Sequence, residues 1–321
     1  MSAALHTGSV LDPAGPVAAA LSGLAWVLIL GAAGVFVIVM ALLVWVLRKR
    51  AGRRSVGEPR LVRHWIIAGG LVFPSIVLGA LMVHLTQQAS GFDVDADPQG
   101  PIVGVTAHSW WWQVRYDAAA RGTSFTTANE IRLPVGRVVT VGLTSADVIH
   151  SLWVPALAGK VDMLPGRVHQ LRLLADRPGV FRGQCAEFCG AQHARMALHV
   201  VAMEPAAYER WLAAQAAPAS MPVSVDALRG LEIYRARRCA ACHDIRGLVE
   251  GPQAQAPLGP DLTHLASRLH LAAGTLPLSS AALQRWVAHS QELKPGVRMP
   301  SYEDLGPADL QALVAFLEGL K

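Results

Sequence analysis

The sequence predicts a multidomain membrane protein: a two-helix transmembrane hairpin, then an antiparallel β-sandwich, then an all-α domain. Three observations point there. Two long apolar runs stand near the N-terminus, period-two alternation fills residues 100–205, and helical periodicity returns from Val225 onward. The 321 residues are 52% hydrophobic and only 16% charged, too apolar a balance for a chain without membrane segments.

The hairpin comes first, over residues 21–87, after an N-terminal segment of residues 1–20. Residues 13–47 carry no charge, and the run LSGLAWVLILGAAGVFVIVMALLVWVL is almost wholly apolar. A second run, residues 65–85, is broken only by His84. A bilayer core about 30 Å thick needs roughly 20 apolar residues in a helix, so both runs suffice. Trp26, Trp45 and Trp65 sit near their ends, where amphipathic rings settle at headgroups. No Lys or Arg precedes the first run, which also far exceeds the roughly 7–15 residues of a signal-peptide core, so it reads as a retained anchor.

The net charge of +5 has one address. Arg48, Lys49, Arg50, Arg53, Arg54, Arg60 and Arg63 crowd the loop between the runs against Glu58 alone. The remaining charges are nearly balanced. Excess basic residues in a short loop mark it as cytoplasmic, which puts both termini and everything after residue 85 on the opposite side, the periplasm or its equivalent. The basic pI therefore gives no reason to expect nucleic acid as a partner.

Residues 88–210 form the predicted sandwich. The runs EIRLPVG, RVVTVGLTS, HQLRLLADRPG and MALHVVAME alternate apolar and polar between Gly/Pro turns. Residues 211–224 are Ala/Pro/Ser-rich and read as a linker. Residues 225–321 form the helical domain. Ser224 or Asp226 offers an N-cap at its start, and Pro307 suits the first turn of a closing helix whose face is Leu310, Leu313, Val314 and Leu317.

Two clusters carry the chemistry. In GQCAEFCGAQHARM, Cys185, Glu187, Cys189, His193 and Met196 fall within twelve positions. A Cys185–Cys189 disulfide suits an oxidising compartment but leaves His193 and Met196 without a purpose. Zinc makes poor use of a thioether. Cys, His and Met together are the soft donor set of electron-transfer copper. Two thiolates exceed the one of a mononuclear blue site, so the count fits two copper ions sharing both sulfurs. Each copper then needs an imidazole, and His150 is the best second candidate, against His108, His169 and His199. The other cluster is CAACH, Cys239 to His243. Two thiols before a histidine attach haem c through thioethers, with His243 as one axial ligand. Met299 is the only methionine downstream and the expected sixth ligand; His264, His270 and His289 are the alternatives.

The pattern H…C-x-E-x-C-x3-H-x2-M, in DVIHSLWVPALAGKVDMLPGR followed by GQCAEFCGAQHARM, resembles the periplasmic domain of cytochrome c oxidase subunit II. The likeness covers roughly residues 20–205. It implies a cupredoxin β-sandwich holding binuclear CuA, with Cys185 and Cys189 bridging, His150 and His193 each on one copper, and Met196 and the Glu187 carbonyl as weak axial contacts. The Glu187 carboxylate would reach a Mg ion at the interface with subunit I. HSWWWQVRY falls where the family has an aromatic cluster for electron entry, which implicates Trp110; position 111 is Trp where the family often has Tyr. Family members often carry a glutamate at the start of the second helix, at the mouth of a proton pathway, and RLVRHW offers none. LGPDLTHL resembles the cytochrome c segment whose proline carbonyl supports the proximal histidine, here Pro260 to His243. Residues 225–321 thus resemble a class I cytochrome c domain.

The fusion resembles the caa-type oxidases. It implies an electron-input subunit of a haem–copper terminal oxidase, a proton-pumping complex. The donor would be cytochrome c or a quinol–cytochrome c reductase. Electrons would pass through haem c and CuA to subunit I, whose haem a and CuB reduce oxygen to water, with subunit III as a further partner. Nitrous oxide reductase shares the copper motif, but its large propeller has no counterpart here, and quinol oxidase subunits lack the copper ligands. A membrane-tethered copper or haem carrier outside any oxidase is the alternative.

Overall fold

The structure, a computed structural model, describes residues 5–6, 9–50, 59–118, 123–249 and 257–321. Arg53, Arg54 and Glu58 of the basic loop lie outside them. The chain divides into two compact units, residues 16–94 and the remainder.

The smaller unit is helical. Helix α1 spans Pro16–Arg50. The second helix runs over Pro59–Gln88 as α2 (Pro59–Ile67), a π turn (Ala68–Val72) and α3 (Phe73–Gln88). Pro74 has no N–H for a carbonyl one turn back, and the wider turn just before it absorbs that missing bond. The most apolar windows of the two helices reach mean hydropathy 3.0 and 2.3, and none of either window is buried by protein. Surfaces of Leu, Ile, Val and Phe this extensive need an apolar surrounding, which is what a bilayer supplies.

The larger unit opens with the two-residue β1 (Leu5–His6). The sandwich then uses β2 (Ile102–His108), β3 (Trp111–Ala118), β4 (Thr123–Ala128), β5 (Glu130–Pro134), β6 (Val139–Ser145), β7 (His150–Trp153), β8 (Val161–Met163), β9 (His169–Leu173), β10 (Gly179–Cys185) and β11 (Ala197–Met203). One sheet has the order β4-β3-β2-β6-β9, the other β5-β11-β10-β7-β8 with β1 beside β10. Most pairs are antiparallel, while β2–β6, β5–β11 and β1–β10 run parallel. The period-two pattern has its physical outcome in the core: Val103, Val105, Trp112, Val114, Val139, Val141 and Leu143 are buried, with the residues between them less so.

Helix α4 covers Pro205–Ala216 and so enters the stretch whose composition predicts a linker. Alanine is the strongest helix former, and Trp211 fixes the helix by packing edge-on to Tyr116 and Phe125, at 5.1 and 5.9 Å between ring centroids. Next comes α5 (Val225–Ala236), capped by Ser224, whose Oγ accepts from the Ala227 N–H at 3.1 Å. The short pair β12 (His270–Leu271) and β13 (Leu276–Pro277), α6 (Ser280–Ala288), α7 (Ser290–Leu293) and α8 (Pro307–Glu318) complete the domain. Helices α5 and α8 cross at Gly230, where a Cβ would stand 2.1 Å from the Ala312 carbonyl oxygen. Only a glycine permits that approach. Leu231, Tyr234, Leu313, Phe316 and Leu317 bury their side chains around the crossing.

Candidate copper and haem sites

The copper ligands predicted from sequence converge. β7 delivers His150, β10 ends on Cys185, and the loop before β11 carries Cys189, His193 and Met196. β7 and β10 are hydrogen-bonded neighbours, with Cys185 opposite Leu152, and this brings residues 35 positions apart into one pocket. The Cys185 and Cys189 sulfurs are free and lie 3.8 Å apart. A disulfide would need about 2.05 Å. His150 Nδ1 stands 3.8 Å from the Cys185 sulfur, His193 Nδ1 3.6 Å from that of Cys189, and Met196 Sδ 3.9 Å from Cys189. The Glu187 carbonyl oxygen lies 3.2 Å from Cys185 Sγ. Ligand atoms of His150, Cys185 and Cys189 all fall within 4.8 Å of one another.

The protonation chemistry suits a metal. His150 is fully buried, and its Nε2–H donates to Asp147 Oδ1 at 2.8 Å. A carboxylate only accepts, so Nε2 carries a proton and Nδ1 is the nitrogen that faces the sulfurs. Burial opposes a charge on His150, but bonds to Cys185 and Asp147 outweigh it and raise its pKa. Burial likewise opposes ionisation of Asp147, and the bonds from His150 and Ser109 overcome it, holding the carboxyl below its ordinary range. Between the thiols, a hydrogen bond with Cys189 drives Cys185 down to about 3, and the Cys185 thiolate pushes Cys189 up. Two soft sulfurs, two imidazoles and a thioether in a buried pocket fit a pair of copper ions. Glu187 points its carboxylate elsewhere, 3.5 Å from Lys160 Nζ.

The haem ligands line a separate cavity of about 170 Å³, shared by Cys239, Cys242, His243, Pro260 and Met299. Its walls are mostly apolar, including Leu262, Leu271, Leu283, Trp286 and Leu317, with Arg237, Arg238, Arg268, Lys294 and Arg298 also on the lining. His243 Nδ1 donates to the Pro260 carbonyl at 2.7 Å, which leaves Nε2 unprotonated and available to iron. Burial lowers the His243 pKa, against that bond, and keeps the ring neutral. Burial pushes the Cys239 thiol up to about 11. The donor set and the apolar walls fit a covalently held haem. Of the alternative axial histidines, His264 spends both nitrogens on the carbonyls of Lys321 and Ala217, and His289 faces Glu292 and Glu303. His270 does line the cavity, and its ring stacks at 4.0 Å on His199 of the sandwich.

Trp110 belongs to both sites. Its indole N–H donates to the Cys189 carbonyl at 2.8 Å, and the residue lines the haem cavity. Gly190, at φ +106°, would put a Cβ 3.2 Å from Trp110 Cζ2, so the copper loop passes flat against the indole only because it carries glycine there. The position of Gly296, in the Met299 loop, is 3.8 Å from the indole's far edge on the same construction. Trp111 stacks on His108 at 4.4 Å and also borders the cavity.

Sequence reading missed the groups that join the sandwich to the helical domain. Glu130 and Arg132 on β5 reach across: Glu130 accepts from the Leu269 N–H, and Arg132 donates to the Ser267 carbonyl at 2.7 Å. Gln192 Nε2 donates to the Pro295 carbonyl at 2.7 Å, and Arg195 donates to Leu293 O. Lys294, only 1% exposed, donates to the carbonyls of Trp110 and Ala272 at 2.9 and 3.1 Å. Each partner is a backbone atom or a residue from a distant segment, so no local motif announces it.

Two family models match this chain, one over each domain that carries a candidate site. Residues 116–203 match the cytochrome c oxidase subunit II periplasmic-domain family, and residues 227–321 match the cytochrome c family. Cytochrome c oxidase subunit 2 of Alkalihalophilus pseudofirmus is 34% identical over 98% of this chain and 91% of that protein. The chain belongs to the cytochrome c oxidase subunit II family. Its Bacillus sp. (strain PS3) relative is 30% identical over 71% of this chain and 65% of that one. The crystallised periplasmic domain of subunit II from Bradyrhizobium japonicum is 30% identical, covering 38% of this chain and 95% of that one, with a TM-score of 0.35. This subunit II therefore joins a cupredoxin-like sandwich and a cytochrome c domain to two helices suited to a membrane, as part of a haem–copper oxidase complex. Its two families imply CuA and haem c.

Proposed function

We propose that this chain is the electron-input subunit of its oxidase. It receives electrons from a cytochrome c or quinol–cytochrome c reductase donor at haem c and passes them through CuA to subunit I for reduction of oxygen to water. Cys185 and Cys189 would hold both coppers, His150 and His193 would each hold one, and Met196 and the Glu187 carbonyl would serve as weaker donors. Cys239 and Cys242 would anchor the haem, His243 and Met299 would ligate its iron, and Pro260 would fix the His243 ring. Bound there, the two groups would supply reversible one-electron chemistry.

The observation carrying this reading is Trp110, hydrogen-bonded to a copper-loop carbonyl while lining the haem cavity. Electron passage between the sites then needs no diffusion of a carrier. The reading assigns residues 21–87 to the membrane hairpin, 88–210 to the copper domain and 225–321 to the haem domain. Both redox domains face the periplasm, with subunits I and III as neighbours in the inner membrane. Glu187 would serve a Mg ion at the subunit I face only by giving up its approach to Lys160. Metal and haem content of the purified chain tests the proposal. Two coppers and one c-type haem per chain are expected; one copper or none removes CuA from the account.

A further inference from the structure

We propose that Lys294 is a positioning residue for electron transfer inside this chain: from the Met299 loop it grips the main chain of Trp110 and holds the copper loop and the haem cavity at a fixed separation. The inference rests on the functional reading above.

Lys294 is an anomaly on energetic grounds. It is 1% exposed and among the largest fully buried side chains, it lines the haem cavity, and no carboxylate side chain among the described residues pairs with it. Its ammonium instead donates to two neutral oxygens, Trp110 O at 2.9 Å and Ala272 O at 3.1 Å. Burying a cation without a counter-ion is costly, and a methionine or leucine would fill the same space without that cost. What an apolar side chain lacks is N–H donors.

The acceptors explain the choice. Trp110 O lies in the sandwich, immediately before β3, and Ala272 O lies in the helical domain, immediately after β12. One side chain thereby ties a main-chain atom of each domain to a third segment, the loop that leads to Met299. Trp110 is then held twice. Lys294 fixes its backbone from the haem side, and the indole bond to the Cys189 carbonyl fixes its ring from the copper side. Gln192 to Pro295 O and Arg195 to Leu293 O place further bonds on the two residues that flank Lys294. The charge also lies near the copper loop, where Cys189 favours it and Arg195 opposes it, while burial pulls the lysine down to about 7.

The test uses the assembled oxidase and follows haem c to CuA transfer after flash-initiated turnover. Lys294→Met keeps most of the side chain's bulk and removes the donors. Its transfer step should slow several-fold at least, and up to about 100-fold if Trp110 shifts by about 1 Å. Metal content, haem content, the optical bands of both centres and the step from CuA onward should stay as in the parent, which separates positioning from misfolding. Lys294→Gln retains two N–H donors without charge and should recover most of the rate. Lys294→Ala carries the same expectation as Lys294→Met should the latter fail to assemble. A donor-less variant transferring within about twofold of the parent overturns the inference, as does Lys294→Gln slowing as much as Lys294→Met, since the charge and not the grip would then matter. A parent chain without copper or haem instead defeats the functional reading, and that is seen before any kinetics.

Discussion

The two redox sites lie in one compact unit yet are built in opposite ways. The copper pocket is made of donor atoms already near their working separations: five side chains from two adjoining strands and one loop, with Cys185 and Cys189 only 5% and 6% exposed. The haem site is made of space, an apolar cavity whose two cysteines are partly exposed. The sandwich positions ligands through hydrogen bonds between strands, a rigid frame. The helical domain positions walls through side-chain packing and leaves the cofactor to fill the volume and be sealed in by covalent bonds. A ligand-first site should fail when one donor or its support is altered. A space-first site should tolerate changes at the copper loop.

The largest effect that would break or sharpen this contrast is at Cys185. Cys185→Ser removes the sulfur that is ionised most easily and should abolish binuclear copper while leaving the haem attached. Copper analysis and the haem optical spectrum of the same sample check it, and loss of both would mean the two sites are not built independently. A smaller effect is expected at Asp147→Asn. The amide can still accept from His150 Nε2–H but carries no charge, so copper should remain bound with roughly 10–100-fold weaker affinity, the usual cost of altering a ligand's supporting partner. Chelator competition measures it, and unchanged affinity would show that the sheet alone orients His150.

Much of this architecture was legible in the sequence because its signals are local. The two apolar helices follow from two long apolar runs, the sandwich from alternation that became the buried Val139, Val141 and Leu143, and the proposed haem ligands from one pentapeptide and a downstream methionine. His150 was legible at a distance only through the resemblance and its place at a strand end. The joint between the domains was not. The His199–His270 stack, Glu130 with Leu269, and Lys294 with Trp110 pair residues 71, 139 and 184 positions apart, and most of these contacts end on main-chain atoms that every residue offers alike. The helical turn at residues 213–216 was also hidden. Alanine and proline suit a linker as well as a helix end, and Trp211 decides between them only once its aromatic neighbours are in place.

The central claim is that haem c and CuA are wired together within one polypeptide. Pulse reduction of the haem in the purified, metal-loaded chain under anaerobic conditions tests this most directly, by following the electron's arrival at copper. The account predicts a first-order transfer whose rate does not change with chain concentration. A rate that rises in proportion to concentration, or an electron that never leaves the haem, would contradict it.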